Sequence, residues 1–377
     1  MEQSNIGSNI RRLRIARDYT QEEVAKATGI SLAGLRNYET GRSEPRVDVL
    51  MAIAKVLDAR LDELVSESRT LKCVRFRAAK RLNTRDTILS DVARWLDDFE
   101  DLEEITGDKS DDQKLRDLSA SDPRELAKET RKRMEIGQDE PIRDICGLLE
   151  KFGVKVLSRP VKSEHFFGLA VGRDEGGPAV VVNTWDRIPV ERWIFSAAHE
   201  LGHILLHKDS FNVSLTAEDP GEETEANQFA SHFLMPEEQF EREWKETEGQ
   251  AFIARVLKVK RMFRVSYATV LYRLQESKRY SNVWVAFYSQ YQRLYGRHLD
   301  RKHEPNPLMP EDFHPKVTED KASREPKRLD DVDFIEDKLS RLIRRALDGE
   351  RITRDRAAEI LRLTPEEMMQ LIEDWAA

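Results

Sequence analysis

Two histidines one helical turn apart, with a glutamate directly after the first, constrain this chain of 377 residues more than any other feature. His199, Glu200 and His203 lie between two mostly apolar stretches, 192–198 and 204–206, that contain neither glycine nor proline. Such a segment predicts a buried helix, on which histidines at i and i+4 share a face and can bind one Zn²⁺. The motif also occurs by chance. However, a buried helix rarely carries these polar groups unless they are coordinated or hydrogen-bonded, so we predict a metal site.

A second helix is predicted about twenty residues downstream. Asp219 followed by Pro220 is typical of a helix N-cap and the first helical position, and Glu222 fits the capping-box position. The helix is expected to end at residues 234–236, Leu-Met-Pro, because proline stops it. Its inward face is formed by small and aromatic residues at helical spacing, namely Ala226, Phe229, Ala230 and Phe233.

The third zinc ligand is predicted on this second helix. Glu223 borders the inward face, whereas Glu225 points away from it. We therefore predict Glu223 as the ligand and Asn227, one turn later, as a residue that orients a ligand. Glu222 is expected to cap the helix, and Glu225 is expected to be a charged side chain exposed to solvent.

The predicted site has the composition of a hydrolytic zinc centre. Zn²⁺ bound by His199, His203 and Glu223 would lower the pKa of a water molecule toward ~7. Glu200 would take a proton from that water and later protonate the leaving nitrogen. His207 extends the histidine face by another turn, as either a ligand-orienting group or an ordinary structural histidine.

The sequence resembles the ImmA/IrrE family of metallopeptidases in four separated blocks, 181–183, 192–207, 223–230 and 234–236. The resemblance covers roughly residues 123–238. It implies a zinc-dependent peptidase with His199, His203 and a helix glutamate as ligands and Glu200 as general base. It also implies a protein substrate, because family members typically cleave a repressor and so switch genes on. The sequence departs from the family at residues 231–233, Ser-His-Phe.

The N-terminal segment 6–64 carries short helical patterns separated by turn signals. Thr20-Gln21-Glu22-Glu23 forms a capping box for one helix. Gly29 supplies a tight turn, and Ser31 caps the next helix, which Gly41 closes. Two helices joined by a glycine turn, with apolar residues between them, predict a helix-turn-helix.

This segment resembles the Cro/C1-type (XRE) DNA-binding domain through Thr20-Gln21-Glu22-x-Val24-Ala25, Gly29-Ile30-Ser31 and Tyr38-Glu39-x-Gly41. The resemblance implies that the helix after Ser31 enters the major groove of double-stranded operator DNA. A degenerate domain used only for dimerisation is the alternative. Because the charges of the segment roughly balance, a homodimer that reads two half-sites is expected. The residues expected to face bases or phosphates are Gln21, Ser31, Leu32, Ala33, Arg36, Asn37 and Arg42.

The formal net charge of −8 is unevenly distributed. Residues 69–85 contain seven Lys or Arg and no acid, whereas acids dominate residues 86–112. The basic stretch either attracts DNA phosphates or pairs with the acidic stretch as amphipathic helices. The pairing of helices is slightly favoured.

A small sheet is expected ahead of the histidine helix. Residues 141–156 predict a helix, a break at Gly153 and a strand, and residues 166–171 and 179–183 are strand-like. An edge strand beside the cleft can align an extended peptide by main-chain bonding.

Helices and a linker are expected after the peptidase segment. Residues 254–274 have helix-turn-helix character with a cap at Ser266, and we favour packing against the catalytic domain. Residues 305–326 are rich in proline and charge and are typical of a linker. Residues 335–375 predict two or three helices in which another helix-turn-helix pattern begins at Thr353.

The predicted fold class is α+β: mainly helical, with a small β-sheet. An N-terminal helix-turn-helix domain precedes a zincin-like metallopeptidase domain and a helical C-terminal extension. A cytoplasmic, nucleoid-associated protein without a membrane segment is expected, because no apolar run approaches ~20 residues, the N-terminus lacks a signal core and the two cysteines are far apart. The expected domains are 1–68 (helix-turn-helix), 69–120 (charged helical connector), 121–245 (peptidase), 246–280 (small helical domain), 281–334 (linker) and 335–377 (C-terminal helices).

Together these features predict a transcription regulator that carries a site-specific zinc endopeptidase. Its expected substrate is a repressor, an antitoxin-like partner or the chain itself. The alternative is a regulator whose zincin domain is a non-catalytic sensor or scaffold. The presence of Glu200 argues against this alternative, because a general base has no role without catalysis.

Overall fold

A computed structural model describes residues 6–17, 19–59, 61–65, 71–78, 85–137, 140–211, 213, 219–277, 280, 282–296, 298–299, 304–305, 329 and 331–376. The chain forms two compact units: unit 1 comprises residues 1–71 and 80–101, and unit 2 comprises residues 72–79 and 102–377. The secondary structure is mainly helical with one small sheet, as predicted. None of the described helices is long and apolar enough to cross a membrane.

Unit 1 is built from short helices around one apolar core. The helices are α1 (Ile6–Ala16), α2 (Gln21–Thr28), α3 (Leu32–Glu39), α4 (Val47–Val56) and α5 (Leu61–Val65). A longer helix, α6 (Arg85–Thr106), follows, and the division between the units falls within it. The core side chains of α1–α5 include Ile10, Leu13, Val24, Leu35, Leu50, Ile53, Leu57 and Leu64.

Local capping sets the turn between α2 and α3. The Thr20 hydroxyl accepts from the Glu23 backbone N–H, and the Glu23 side chain accepts from the Thr20 backbone N–H, which completes the predicted capping box. Gly29 ends α2 with φ +73°, a conformation that costs glycine little. Ser31 then caps α3 by accepting from the Gly34 N–H at 3.0 Å. The helix-turn-helix prediction is confirmed.

A close approach of backbones joins α1 to α3. A Cβ atom on Gly7 would lie 2.0 Å from the carbonyl oxygen of Tyr38. Only glycine fits at this position without a shift of the backbone. The start of α1 is therefore packed directly against the end of α3.

Unit 2 contains a four-stranded sheet formed by β1 (Val74–Ala78), β2 (Lys155–Ser158), β3 (Phe166–Val171) and β4 (Ala179–Val182). The strand order is β1-β3-β4-β2. β1 and β4 both pair antiparallel with β3, and β2 pairs parallel with β4. Strands β2, β3 and β4 were predicted. β1 was not, because the sequence analysis assigned residues 69–120 to helices; the alternation Val74-Arg75-Phe76-Arg77 instead fits a strand.

Helices surround this sheet. After α7 (Gln113–Arg116), α8 (Pro123–Arg133) and α9 (Ile145–Lys151), the long buried helix α10 (Val190–Leu206) packs against β3, β4 and α11 (Pro220–Leu234). Proline at residue 236 follows the end of α11, as predicted. The remaining helices before residue 300 are α12 (Glu237–Glu246), α13 (Phe252–Phe263), α14 (Tyr267–Glu276) and α15 (Val283–Tyr295).

The C-terminal segment forms the predicted helices α16 (Lys338–Asp348), α17 (Arg354–Leu361) and α18 (Pro365–Ala376). Side chains at its start join the rest of unit 2: Phe334 packs edge-on against Trp193, and the Ser158 hydroxyl donates to Glu336 at 2.6 Å. Apart from Pro305, the predicted linker 305–326 lies outside the described residues.

A buried carboxyl group also holds this segment. The Glu150 carboxylate on α9 accepts from the backbone N–H groups of Asp337 and Lys338 at 3.3 and 3.0 Å. Burial raises the pKa of Glu150 to about 8. The folded chain therefore binds more protons than the unfolded chain above the ordinary pKa of 4.5, so stability falls as the pH rises toward 8.

We expect Glu150→Gln to remove this pH dependence, because glutamine accepts the same backbone hydrogen bonds without a charge. The urea midpoint of unit 2 should fall between about pH 5 and pH 8 in the wild type and change much less in the variant. Exposed Glu248 provides the control variant Glu248→Gln, which should follow the wild type. Equal pH profiles for Glu150→Gln and wild type would contradict the assignment.

Candidate metal centre and helix-turn-helix surface

The side chains of His199, Glu200 and His203 lie in the interior of unit 2, each with no exposed surface. They project from the middle of α10, between apolar residues such as Leu201 and Ala197 that fill the core. The helix therefore carries two imidazoles and a carboxylate into a region where charged and polar groups need partners.

Gly202 allows α11 to approach this face of α10. A Cβ atom at residue 202 would lie 3.0 Å from the Phe229 ring and 3.4 Å from the Ala226 backbone. The small residues at 202 and 226 let the two helices pack closely. As a result, the Glu223 carboxylate, one turn before Ala226, reaches the two histidines.

Three ligand atoms converge at this crossing. The Nε2 atoms of His199 and His203 are 2.9 Å apart. The Glu223 carboxylate lies 3.4 Å from Nε2 of His199 and 3.2 Å from Nε2 of His203. Ligands placed about 2.0–2.1 Å from a zinc ion at the corners of a tetrahedron are roughly 3.3 Å apart. The spacing of these three groups fits one metal ion.

Hydrogen bonds on the far side of each imidazole orient its lone pair toward the other ligands. Nδ1 of His199 lies 3.0 Å from Oδ1 of Asn227, so a proton on this nitrogen would leave Nε2 as the acceptor that faces the other ligands. Nε2 of His207 lies 2.9 Å from the Glu225 carboxylate, and Nδ1 of His207 lies 2.9 Å from Nδ1 of His203. If His207 donates to Glu225, its Nδ1 accepts from His203, whose Nε2 is then also unprotonated.

The electrostatics of the site favour the neutral form of His203. Burial lowers the pKa of His203 to about 4, even though the adjacent Glu223 carboxylate opposes this shift. A neutral imidazole of His203 then lies beside the imidazole of His199 and the Glu223 carboxylate. This donor set attracts a cation, and borderline-soft zinc is suited to histidine and carboxylate ligands.

The structure differs from the sequence analysis in the role of two acidic residues of α11. Glu225 does not simply face solvent, because its half-exposed carboxylate binds His207. Asp219 caps α11 as predicted, by accepting from the N–H groups of Gly221 and Glu222. The Glu222 carboxylate does not complete a capping box, because it instead binds Arg75 and the Ser210 hydroxyl. Helical periodicity does not reveal these partners, because they come from distant segments of the chain.

Glu200 lies beneath strand β3. A Cβ atom on Gly168 would lie 3.1 Å from Oε1 of Glu200 and 2.8 Å from the Val181 carbonyl oxygen. The bare backbone at Gly168 thus provides room for the Glu200 carboxylate. The only sequence signal for this role is a glycine inside a predicted strand, which often marks a close approach.

Arg75 on β1 completes the charged surroundings of the site. Its guanidinium binds the Glu222 carboxylate and lies 3.3 Å from Oε1 of Glu223. Burial opposes ionisation of Glu222, but the hydrogen bonds from Ser210 and Arg75 outweigh it and lower the pKa of Glu222. Arg75 belongs to the basic stretch that the sequence analysis expected to pair with acids of residues 86–112. Its described partners are instead on α11.

In unit 1, a buried ion pair connects α1 to α3. The Arg14 guanidinium donates to both carboxylate oxygens of Glu39, at 2.6 and 3.0 Å. The amide of Gln21 donates to Glu39 at 2.7 Å and accepts from Nε of Arg36 at 3.2 Å. This network fixes the end of α3 against α1 and α2.

The predicted DNA-contacting residues occupy one region around α3. Ala33, Arg36 and Arg42 are exposed, while Leu32 and Asn37 are half-buried. The hydroxyl of Ser31 is engaged in the α3 cap, and Gln21 is held between Glu39 and Arg36. Their contact with DNA stays a prediction.

Residues 10–64 match the helix-turn-helix family, and residues 149–275 match the peptidase M78 family, described as the IrrE N-terminal-like domain. The HTH-type transcriptional regulator YazB of Bacillus subtilis is 41% identical over 64 residues, which cover 17% of this chain and 93% of YazB. The chain belongs to the helix-turn-helix transcriptional regulators. It also carries an IrrE-like domain, so both resemblances drawn from the sequence are confirmed.

Other relatives share only part of this regulator. The cryptic phage CTXphi transcriptional repressor RstR of Vibrio cholerae is 40% identical over 63 residues, 17% of this chain. The chain spans only 57% of the length of RstR. Among solved structures, Bacillus thuringiensis PlcR in complex with the peptide PapR7 and DNA aligns over 98% of both chains, with 13% identity and a TM-score of 0.16. An alignment with this score does not establish a shared fold.

We expect Glu39→Gln to destabilise the helix-turn-helix, because the charge of Arg14, whose side chain is only 12% exposed, would lose its partner. Breaking such a pair costs about 3 kcal/mol. Hydrogen exchange of the α2 and α3 amides should accelerate. The exposed Glu44 supplies the control Glu44→Gln, and the apolar double variant Arg14→Met with Glu39→Leu should recover most of the protection. Unchanged exchange in Glu39→Gln would refute this role.

Proposed function

We propose that this regulator binds operator DNA through α3 and carries a zinc-dependent peptidase that cleaves a protein partner to change gene expression. The observation that supports the peptidase is the convergence of His199, His203 and Glu223 in a buried site beside Glu200. The IrrE-like match at residues 149–275 supports the same activity.

In this proposal, His199, His203 and Glu223 hold the zinc ion, and Asn227 and His207 orient the two imidazoles through their Nδ1 atoms. A bound zinc ion would supply Lewis-acid activation of water and of a peptide carbonyl. The relay from His203 through His207 to Glu225 would also strengthen the donor character of His203.

Glu200 is the proposed general base. It directly follows His199 on α10, and its carboxylate lies in the space left by Gly168. Surrounded by protein, it would accept a proton from the attacking water and hold it beside the reacting carbonyl. It would then deliver that proton to the leaving nitrogen, which allows the C–N bond to break and the amine to leave.

The substrate of this activity would be a specific regulator rather than proteins in general. A repressor, an antitoxin-like partner and the chain's own linker are the three substrate classes that fit a peptidase fused to a DNA-binding domain. This part of the proposal depends on analogy with the family.

We expect purified protein to contain about one zinc ion per chain, lost in the double variant His199→Ala and His203→Ala. Glu200→Gln should keep the zinc and abolish cleavage, because an amide cannot accept the proton. Elemental analysis measures the metal, and comparison of protein termini in cells carrying wild type or Glu200→Gln detects the cleaved partner.

The exposed Glu238 supplies the matched control Glu238→Gln, which should retain both zinc and cleavage. If Glu200→Gln cleaves as well as wild type, the peptidase assignment is wrong. If wild type and Glu200→Gln both keep the metal and no terminus differs between them, the non-catalytic sensor becomes the better description of this domain.

For the DNA-binding half, α3 would enter the major groove with Arg36 exposed and Asn37 beside it. Arg36 would leave Gln21 and reach a base or phosphate. A homodimer reading two half-sites would supply the affinity that a single domain of balanced charge lacks.

We expect Arg36→Ala with Asn37→Ala to weaken binding to the chain's own promoter fragment by about tenfold or more. Gel shifts at several salt concentrations should show a shallower salt dependence if Arg36 contacts a phosphate. Arg341→Ala, at an exposed arginine of unit 2, is the control. Unaltered affinity of the double variant at matched salt would exclude α3 as the reading helix.

A further inference from the structure

Strand β1 occupies the outer edge of the sheet in unit 2. Without it, the sheet would consist of β2, β4 and β3, and the edge beside α10 would be β3, which is antiparallel to β4. An exposed strand edge binds extended peptides by main-chain hydrogen bonds. β1 pairs antiparallel with this edge and so fills the position that an extended substrate would take.

The register of β1 brings it across the catalytic glutamate. Arg75 pairs with Ala170 and Arg77 pairs with Gly168, after which the register shifts and Ala78 pairs with Phe166. Gly168 is the residue whose bare backbone lies over Glu200. A segment bound in this register therefore passes the proposed general base.

Besides its pairing with β3, a carboxylate and an aromatic side chain hold β1 in place. The backbone N–H groups of Lys72 and Cys73 donate to the Glu175 carboxylate at 2.6–2.8 Å. On the strand itself, the Phe76 ring stacks on Phe166 at 5.0 Å between centroids. β1 is thus anchored at its start and by one aromatic side chain.

Arg75 directs its charge into the site. It faces the same side of the sheet as its partner Ala170, and its side chain is only 12% exposed. It binds Glu222 and lies 3.3 Å from Glu223, the proposed ligand from α11. An arginine fork matches carboxylates in this way better than other side chains do.

We propose that the β3 edge binds an extended substrate segment with an arginine opposite Ala170, and that β1 occupies this site as the chain's own pseudosubstrate. This inference rests on the proposed peptidase function. A substrate must therefore displace β1, and it does so by supplying the same main-chain bonds and its own arginine for Glu222 and Glu223.

A peptide with the sequence of residues 71–79 tests this proposal, with serine in place of Cys73 (LKSVRFRAA) and a fluorescent label. Binding is measured by anisotropy to the full chain carrying Glu200→Gln, so that the peptide is not cut. Adding Arg75→Ala should weaken the hold of β1 and increase the affinity for the peptide at least about tenfold. A peptide with alanine at the arginine equivalent to Arg75 should lose most of this gain.

Arg264→Ala is the matched control, because it breaks an ion pair of similar burial, to Asp333, away from the site. Hydrogen exchange gives a second, metal-independent measurement: the β3 amides at residues 168–171 should exchange faster in Arg75→Ala than in Arg264→Ala. Arg75→Lys, which keeps the charge but not the fork, should lie between wild type and Arg75→Ala.

Equal peptide affinity and equal β3 exchange in wild type, Arg75→Ala and Arg264→Ala would overturn the pseudosubstrate role. Failure of the peptidase proposal would be visible separately. In that case, the Arg75→Ala variant that keeps Glu200 would bind the peptide tightly but would cleave neither the peptide nor any cellular protein. Binding that does not depend on the peptide arginine would overturn the proposed substrate class.

Discussion

The close approach of α10 and α11 at Gly202 is the constraint on which the candidate metal centre depends. With a larger residue at 202, Phe229 and the Ala226 backbone would have to move, and Glu223 would move with them. The same crossing places Asn227 behind His199 and Glu225 behind His207. One small residue therefore sets both the distance between the ligands and the hydrogen bonds that orient them.

The sequence predicted those parts of the site that follow from the periodicity of a single helix, taken for α10 and α11 separately. The spacing of His199 and His203 and the wheel position of Glu223 follow from helical periodicity, and the structure brings these residues together. Arg75 and Gly168 could not be found this way, because their role comes from the pairing of strands far apart in the chain. The seven basic residues of 69–85 favoured the pairing of amphipathic helices, so the alternation within β1 was not recognised.

The capping residues of a helix-turn-helix predict its backbone conformation, but they do not predict whether it binds DNA. The turn between α17 and α18 resembles the turn between α2 and α3. Arg362 ends α17 in the left-handed conformation, as Gly29 ends α2, and Thr364 caps α18 as Ser31 caps α3. Buried Met368 lies four residues after its cap, as Leu35 does. The shape is that of α2 and α3, yet α18 carries Glu366, Glu367, Glu373 and Asp374. Such a helix repels phosphate. The proposed reading of DNA therefore rests on the surface of α3, with Arg36 and Asn37, in addition to the turn.

The energetics of strand exchange explain how a site covered by β1 can still select a substrate. A main-chain hydrogen bond contributes only about 1 kcal/mol net, and an incoming strand replaces each bond that β1 gives up. The main-chain hydrogen bonds therefore change little in free energy when an incoming strand replaces β1. β1 and a competitor differ in the side chain opposite Ala170 and in the stacking that Phe76 makes on Phe166. β1 is also anchored at its start by the Glu175 carboxylate. Selectivity then lies in the arginine bound by Glu222 and Glu223, because this interaction is buried and charged.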